Sequence, residues 1–171
     1  PFQEVIGLVP AAGLGKRISP LPCSKEVYPV GFRQIDEKGT VGPKVVSHYL
    51  LEKMRLAGAT KAFIVLRDGK WDIPKYFGDG SMLDMNLAYL MMRLPYGAPY
   101  TADQATPFLQ NCLVAFGFPD ILFGPDDAYC KLLKRQASTH ADIVLGLFPA
   151  DRPDTMDMVD VEEDGWIRSL V

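Results

Sequence analysis

Two glycines and three cations follow directly on the first apolar run of the chain. They are Gly13, Gly15, Lys16, Arg17 and Lys25. Glycine has no Cβ and readily adopts a positive φ, so a glycine loop lets backbone N–H groups approach an anion closely. The spacing predicts a phosphate-binding loop at the end of a strand, with the cations supplying charge. A plain strand-to-loop turn, in which the glycines serve only backbone geometry, is the alternative.

Two better-known glycine motifs do not fit this loop. A dinucleotide-binding fingerprint would need a third glycine where Ile18 stands. A Walker loop would need glycine at Pro10 and serine or threonine at Arg17. The loop is therefore predicted to bind phosphate in some other way.

A single carboxylate, Asp120, lies in the apolar segment of residues 118–123. Magnesium prefers carboxylate oxygens and keeps several waters while it bridges to a substrate phosphate. Asp120 is therefore a candidate magnesium ligand, and a turn or cap residue is the alternative. His48 and His140 have no second His or Cys at ligand spacing and are interpreted as structural residues.

Composition limits the class of protein. With 171 residues, 48% of them hydrophobic, the chain suffices for one domain with a substantial core. Its net charge of −3, with both signs interspersed, argues against nucleic-acid or membrane partners, which usually meet a basic face. No apolar run approaches the roughly 20 residues of a membrane span, and no signal peptide is recognisable. Three widely spaced cysteines predict neither a disulfide framework nor a zinc site, which favours a cytoplasmic location.

Hydrophobic periodicity predicts alternating strands and helices, and hence an α/β domain with a mostly parallel central sheet. Strands are predicted over residues 4–10, 61–66, 86–92, 118–123 and 142–148. Helices are predicted over residues 45–57, 71–77 and 101–116, the last capped by Thr101, and from residue 126 or 127 to 140. A turn at residues 36–39 joins two short extended pieces, and a hairpin is predicted over residues 156–167.

The motifs resemble those of the sugar-phosphate nucleotidyltransferases, such as glucose-1-phosphate thymidylyltransferase and UTP–glucose-1-phosphate uridylyltransferase. The matching residues are Pro10-Ala11-Ala12-Gly13-Leu14-Gly15-Lys16-Arg17, Pro20, Ser24-Lys25-Glu26, Pro29-Val30 and Lys44-Val45-Val46. Weaker matches lie at residues 78–81, 86–89, 120–123 and 161–165. The resemblance spans nearly the whole chain and is strongest over the first 46 residues.

This resemblance implies a Rossmann-like three-layer domain of the nucleotide-diphospho-sugar transferase type. The implied activity is condensation of a nucleoside triphosphate with a sugar 1-phosphate to give a nucleotide-sugar and pyrophosphate, in nucleotide-sugar biosynthesis. It assigns triphosphate binding to Pro10, Ala11, Ala12, Gly13, Leu14, Gly15 and Lys16. It also implies catalytic roles for Arg17 and Lys25, and a Mg²⁺ ligand at Asp120.

These roles agree with the chemistry of the reaction. The attacking phosphate oxygen is already largely anionic at neutral pH, since its second pKa is about 6, so no general base is required. The difficulty is to bring two anions together and to stabilise the departing pyrophosphate. Arg17 is expected on the leaving phosphates and Lys25 on the attacked phosphate.

The chain also departs from the family pattern. Lys16 stands where the family has threonine, Met92 and Tyr100-Thr101-Ala102 stand where it reads the base, and Asp157 replaces a glycine of a sugar-contacting strand. Base and sugar are therefore left open, as is formation of a homo-oligomer.

Residues 1–171 are expected to be one catalytic domain, truncated at the C-terminal end and lacking part of a complete site. A nucleotide-binding regulatory domain without turnover is one alternative. A glycosyltransferase is another, although its Asp-x-Asp motif is absent after the middle strands.

Overall fold

A parallel four-stranded sheet forms the centre of the protein, for which the computed structural model describes residues 3–170. In chain order the strands are β1 Val5–Pro10, β2 Pro29–Gln34, β3 Val41–Val45, β4 Lys61–Arg67, β5 Asn86–Met92, β6 Leu113–Phe116, β7 Val159–Val161 and β8 Ile167–Leu170. The helices are α1 Val46–Leu56, α2 Asp72–Phe77, α3 Ala98–Asp103 and α4 Ala128–Thr139. Short 3₁₀ helices occupy Lys25–Val27, Ser81–Leu83, Thr106–Phe108 and Pro153–Thr155.

The strand order in the central sheet is β5-β4-β1-β6. All three pairings are parallel, with Leu8 of β1 opposite Phe63 of β4 and Phe116 of β6. The carboxyl ends of the strands therefore meet at one edge of the sheet. Strands covered on both faces read as continuous apolar runs, which is why β1 and β4 could be predicted.

Helices cover both faces of this sheet. On one face α1, α2 and α4 enclose a core that includes Leu50, Phe77 and Tyr129. On the other face Met92 of β5 and Ala105, just beyond α3, pack with Leu8 and Val65. The predicted α/β domain with helices on both sides of a parallel sheet is confirmed.

The predicted turn between two extended pieces and the predicted late hairpin are both present. β2 and β3 pair antiparallel around a turn in which the Asp36 carboxylate accepts hydrogen bonds from the amides of Lys38 and Thr40, at 3.0 and 2.9 Å. β7 and β8 form the second hairpin. Among the described residues, no helix combines the length and the apolar character that crossing a membrane would require.

The prediction of one helix over residues 101–116 is wrong. Helix α3 begins at Ala98, after Gly97 with φ +113°, and ends at Asp103, so Thr101 lies inside it. Pro107 cannot continue a helix because it lacks an N–H and clashes with the preceding turn. Asn111 then adopts a left-handed conformation, with φ +55°. The remaining apolar residues form strand β6.

The strands predicted over residues 118–123 and 142–148 are also absent. The first segment turns immediately after β6, because the amide of Ile121 bonds back to the carbonyl of Phe118 at 3.4 Å. In the second, Ile143 and Phe148 are 76% and 56% exposed. An apolar run becomes a strand only when a neighbouring strand pairs with it. Within the described residues β6 pairs only with β1, so neither segment extends the central sheet beyond β6.

Candidate active site

The glycine loop leaves β1 at the carboxyl edge of the sheet. Its first residue is fixed to the neighbouring strand, since the amide of Ala11 donates to the carbonyl of Val65 at 2.9 Å. Ala11 and Ala12 are each only 1% exposed, so the loop rises from a packed base. Gly15 has φ +63°, and its carbonyl accepts hydrogen bonds from the amide of Ile18 and the hydroxyl of Ser19. The loop is therefore anchored at both ends.

The middle of this loop has free donors. Within the described residues, the amides of residues 13–17 donate to no other protein group. The side chains of Lys16 and Arg17 lie in solvent, and neither forms an ion pair within residues 3–170. Unpaired amides next to exposed cations can serve as donors to an anion.

Lys25 lies against the glycine loop. Its Nζ is 3.8 Å from the point where a Cβ on Gly13 would stand, and its Cδ is 4.0 Å from the corresponding point on Gly15. The absence of side chains at these two positions lets the lysine lie close to the loop backbone. Its ammonium forms an ion pair with the carboxylate of Asp120.

Asp120 lies in the loop after β6, four residues beyond the end of that strand. Because β6 is the parallel neighbour of β1, the two strands deliver Asp120 and the glycine loop to the same edge of the sheet. The Asp120 side chain is 35% exposed, and that of Lys25 is 22% exposed. Across the described residues, no three His, Cys, Asp or Glu side chains form a group that could hold a metal by themselves.

The structure therefore brings most of the predicted site residues together. Those that meet at the edge of the sheet are Pro10, Ala11, Ala12, Gly13, Leu14, Gly15, Lys25 and Asp120. Lys16 and Arg17 share the loop, but their side chains point into solvent. The roles of all these residues stay predictions.

Two further contacts, which the sequence did not reveal, flank Lys25. The amide and hydroxyl of Ser24 donate to the Asp72 carboxylate at 2.6 and 2.7 Å. Lys70 donates to both carboxylate oxygens of Glu26, at 2.7 and 2.6 Å, and burial lowers the pKa of Lys70. Ser24 and Glu26 belong to the recognisable motif, whereas nothing in the sequence marks Lys70 or Asp72 as their partners.

A cavity of about 360 Å³ opens between the glycine loop, residues 19–25 and the turn from β4 to α2. Its charged and hydroxyl-bearing lining includes Ser24, Lys25, Arg67, Lys70 and Asp72. Arg17 and Asp120 are outside this lining. Lys70 is buried and bound to Glu26, which leaves Lys25 and Arg67 as the cations that could face an anionic ligand in this cavity.

The positions that the family resemblance predicts to read the base are Met92 and residues 100–102. Met92 is 6% exposed and packs in the same cluster as Ala12. Thr101 is buried, and its hydroxyl donates to the carbonyl of Gly97 at 3.0 Å. Met92 and Thr101 thus contribute to packing and to the start of α3, while Tyr100 is 47% exposed.

The domain has the predicted α/β fold with a parallel central sheet, and a glycine loop, a lysine and an aspartate lie at the carboxyl edge of that sheet. No family model matches the chain. Among curated proteins, it is similar to the low-salt glycan biosynthesis nucleotidyltransferase Agl11 of Haloferax volcanii. The two are 23% identical over 169 residues, which covers 96% of this chain and 43% of that protein.

Among solved structures, the chain is similar to a crystal structure from Bacillus anthracis that was assigned as a glucose-1-phosphate thymidylyltransferase in complex with a sucrose. The TM-score is 0.77 at 17% identity, with 97% of this chain and 63% of that chain covered. The chain therefore spans less than two thirds of either protein. The resemblance to the sugar-phosphate nucleotidyltransferases is confirmed.

Proposed function

We propose that the chain is the nucleotide-binding part of a sugar-1-phosphate nucleotidyltransferase. The observation that carries the proposal is the position of Lys25, which lies along Gly13 and Gly15 while its ammonium contacts Asp120. A triphosphate seated on the free loop amides would bring its reacting phosphate to this ammonium. The glycan-biosynthesis nucleotidyltransferase relative supports the same assignment.

In the proposed reaction, an oxygen of the sugar 1-phosphate attacks the α-phosphorus of the triphosphate. A new P–O bond forms, the bond from the α-phosphorus to the bridging oxygen breaks, and pyrophosphate leaves with that electron pair. The loop amides would orient the triphosphate, Arg17 would neutralise the leaving phosphates, and Lys25 would stabilise charge at the attacked phosphate. No general base is needed because the attacking oxygen is already anionic.

Asp120 could supply one carboxylate ligand to a magnesium ion, and the remaining ligands would have to come from the substrate and water. Mg²⁺ is commonly held by one or two carboxylates together with substrate phosphates and water, and Asp120 offers one half-exposed carboxylate. When bound, the ion would neutralise phosphate charge and fix the orientation of the triphosphate.

The test is pyrophosphate release by the full-length protein, with four nucleoside triphosphates combined with several sugar 1-phosphates. Turnover that needs both substrates supports the proposal, and the best pair identifies base and sugar. Failure of every pair, under conditions where a triphosphate binds, would contradict it.

That negative result would favour a second candidate, a nucleotide-binding regulatory domain without turnover. The observation behind it is the burial of Met92 and Thr101, which stand at base-reading positions yet serve packing and local helix structure. A regulatory domain would bind the triphosphate, and addition of a sugar 1-phosphate would then release no pyrophosphate.

A further inference from the structure

We propose that Ser24, Glu26, Lys70 and Asp72 form a clamp that positions Lys25 for reaction. The Lys25 clamp consists of two contacts, Ser24 with Asp72 and Glu26 with Lys70. The inference rests on the proposed function, because it takes Lys25 to be the catalytic lysine. Lys70 and Asp72 act on the substrate only through Lys25 and are therefore positioning residues.

The residues before and after Lys25 both contact the short segment in which α2 begins. Ser24 donates twice to Asp72, the first residue of α2, and Glu26 binds Lys70, which precedes α2 by two residues. Lys25 between them points instead toward the glycine loop and Asp120. Lys25 and Glu26 share a 3₁₀ helix, whose residues project about 120° apart, and Ser24 directly precedes it. Holding both neighbours therefore fixes the backbone from which the Lys25 side chain extends.

Both sides of the clamp rest on rigid structure. The carbonyl of Glu26 accepts a hydrogen bond from Ser47 of α1 at 2.6 Å, which ties its backbone to a core helix. On the opposite side, the amide of Lys70 donates to the carbonyl of Arg67, and the amide of Ile73 donates to the carbonyl of Lys70. The clamp therefore connects Lys25 to α1, β4 and α2.

A contribution to stability does not by itself explain the Glu26–Lys70 contact of the clamp. The Glu26 and Lys70 side chains are 1% and 5% exposed, so both charges have lost their hydration. A buried ion pair can often be replaced by apolar residues of similar size without loss of stability. Burial lowers the pKa of Lys70, and the nearby Arg67 and Lys25 lower it further, so only Glu26 favours its charged form. Burying the Glu26–Lys70 pair costs desolvation free energy. Its position next to the proposed catalytic lysine suggests that its role is to hold Lys25 in place.

The first test measures the position of Lys25 without reference to activity. A zero-length carbodiimide cross-linker joins a carboxylate and an amine only when they are in contact, and mass spectrometry quantifies the resulting Lys25–Asp120 peptide. We expect the Asp72→Ala variant and the Glu26→Met/Lys70→Met double variant each to lower its yield by roughly threefold or more, because the lysine loses its fixed direction. The exposed Lys61–Glu4 pair supplies an internal reference in the same digest.

Asp68→Ala is the matched control variant. Asp68 lies in the same turn and is exposed, but it contacts neither Ser24 nor Glu26. Among the described residues, its carboxylate accepts a hydrogen bond only from the adjacent amide of Gly69. Its replacement is expected to leave the Lys25–Asp120 yield unchanged. Asp72 is only partly buried, so the Asp72→Ala variant keeps the proposal testable even if the double variant fails to fold.

The second test is the kinetics of the full-length protein. Loss of the clamp should lower kcat by roughly tenfold or more, with the KM for triphosphate changed by less than about threefold because the loop amides are intact. A folded variant with wild-type cross-linking and wild-type kcat would overturn the proposal. If the wild-type protein has no turnover with any substrate pair, the proposed function fails, while the cross-linking result still decides the clamp.

Discussion

Lys25 connects the parts of the site that lie far apart in the chain. Its stem lies along the glycine loop, its ammonium contacts Asp120, and its neighbours Ser24 and Glu26 are bound to the turn before α2. The side chain is 22% exposed and can be approached by a ligand. These contacts make its ammonium the clearest target for substitution.

Replacement of Lys25 by alanine is expected to lower turnover by at least about tenfold, since a charge at the attacked phosphate is lost. Stability should change by less than about 1 kcal/mol, because the pair with Asp120 is partly exposed. Steady-state kinetics and urea unfolding measure the two effects. Lys61→Ala, which removes an exposed ion pair at the other edge of the sheet, is the control, and equal rates for both variants would contradict the assignment.

Arg17 is expected to act on the leaving phosphates. Its side chain is exposed and unpaired within the described residues, so Arg17→Ala should reduce turnover at least about tenfold without lowering the unfolding midpoint. Arg168→Ala, on the exposed β7–β8 hairpin, provides a comparison with the same change of charge. Wild-type turnover in Arg17→Ala would remove this residue from the mechanism.

At the scale of elements, the contact of β1 with β4 sets the base of the glycine loop. Gly7 of β1 pairs in register with Ala62 of β4. A Cβ at Gly7 would stand 2.8 Å from the Cβ of Ala62 and 3.0 Å from the sulfur of Met54. There is thus no room for a side chain between these two strands at this point.

Gly7→Ala should therefore destabilise the protein by about 1–3 kcal/mol, the usual cost of overpacking a core. The Gly7→Ala/Ala62→Gly double variant moves the methyl group from β4 to β1 and should recover part of this loss. Urea unfolding of both single variants and the double variant measures the coupling. Strict additivity of the two single effects would show that the strands do not compete for this space.

Helix α1 contains a buried histidine that should make stability depend on pH. His48 is 3% exposed, its Nδ1 has no hydrogen-bond partner in residues 3–170, and burial lowers its pKa to about 4. The unfolded imidazole titrates near pH 6.5, so between about pH 6.5 and 4 the unfolded state binds more protons than the folded state. Stability should therefore fall as the pH drops through this window, by up to about 3 kcal/mol.

His48→Gln removes the titrating group and should flatten this part of the stability curve. The measurement is the urea midpoint at several pH values between 4 and 7. His140→Asn is the control, because His140 is exposed at the C-terminal end of α4. An unchanged pH slope in His48→Gln would show that other groups cause it.

The elements that could be predicted are those whose hydrophobic pattern runs through the whole element. β5 was predicted residue for residue, and α1 within one residue at each end, because a continuous apolar run or a helical period marks the whole element. Residues 101–116 misled the prediction because their apolar spacing fits a helix, although Pro107 and Asn111 interrupt it. The four residues of β6 are too few to show a period of their own.

For the whole molecule, the sequence indicated candidate site residues but could not reveal most of their contacts. Lys25 and Asp120 are separated by 95 positions and meet only because β1 and β6 are neighbours. Strand order depends on how the complete sheet packs, which no local pattern contains. Lys70 and Asp72 were missed for the same reason, since both look like ordinary surface residues in the sequence.

Triphosphate binding should stabilise the whole protein. A ligand at 100 times its Kd adds about 2.7 kcal/mol, which corresponds to a rise in Tm of about 5–10 °C for a domain of this size. The matching nucleoside, which lacks the phosphates, should give a much smaller rise if the loop amides and cations supply most of the affinity. Equal shifts in a thermal unfolding assay would contradict phosphate recognition by the loop.

The parallel pairing of β1 with β6 also sets the order in time in which the site is completed. Ribosomes add about 5–20 residues per second, so Asp120 is synthesised about 5–20 s after Lys25. During that interval the glycine loop and its lysine exist without their carboxylate partner, and β1 has an open edge. Closing the long stretch of chain between β1 and β6 is entropically slow compared with local folding. Pairing of β6 with β1 therefore also brings Asp120 to Lys25, so the constellation around Lys25 is complete only when the central sheet is complete.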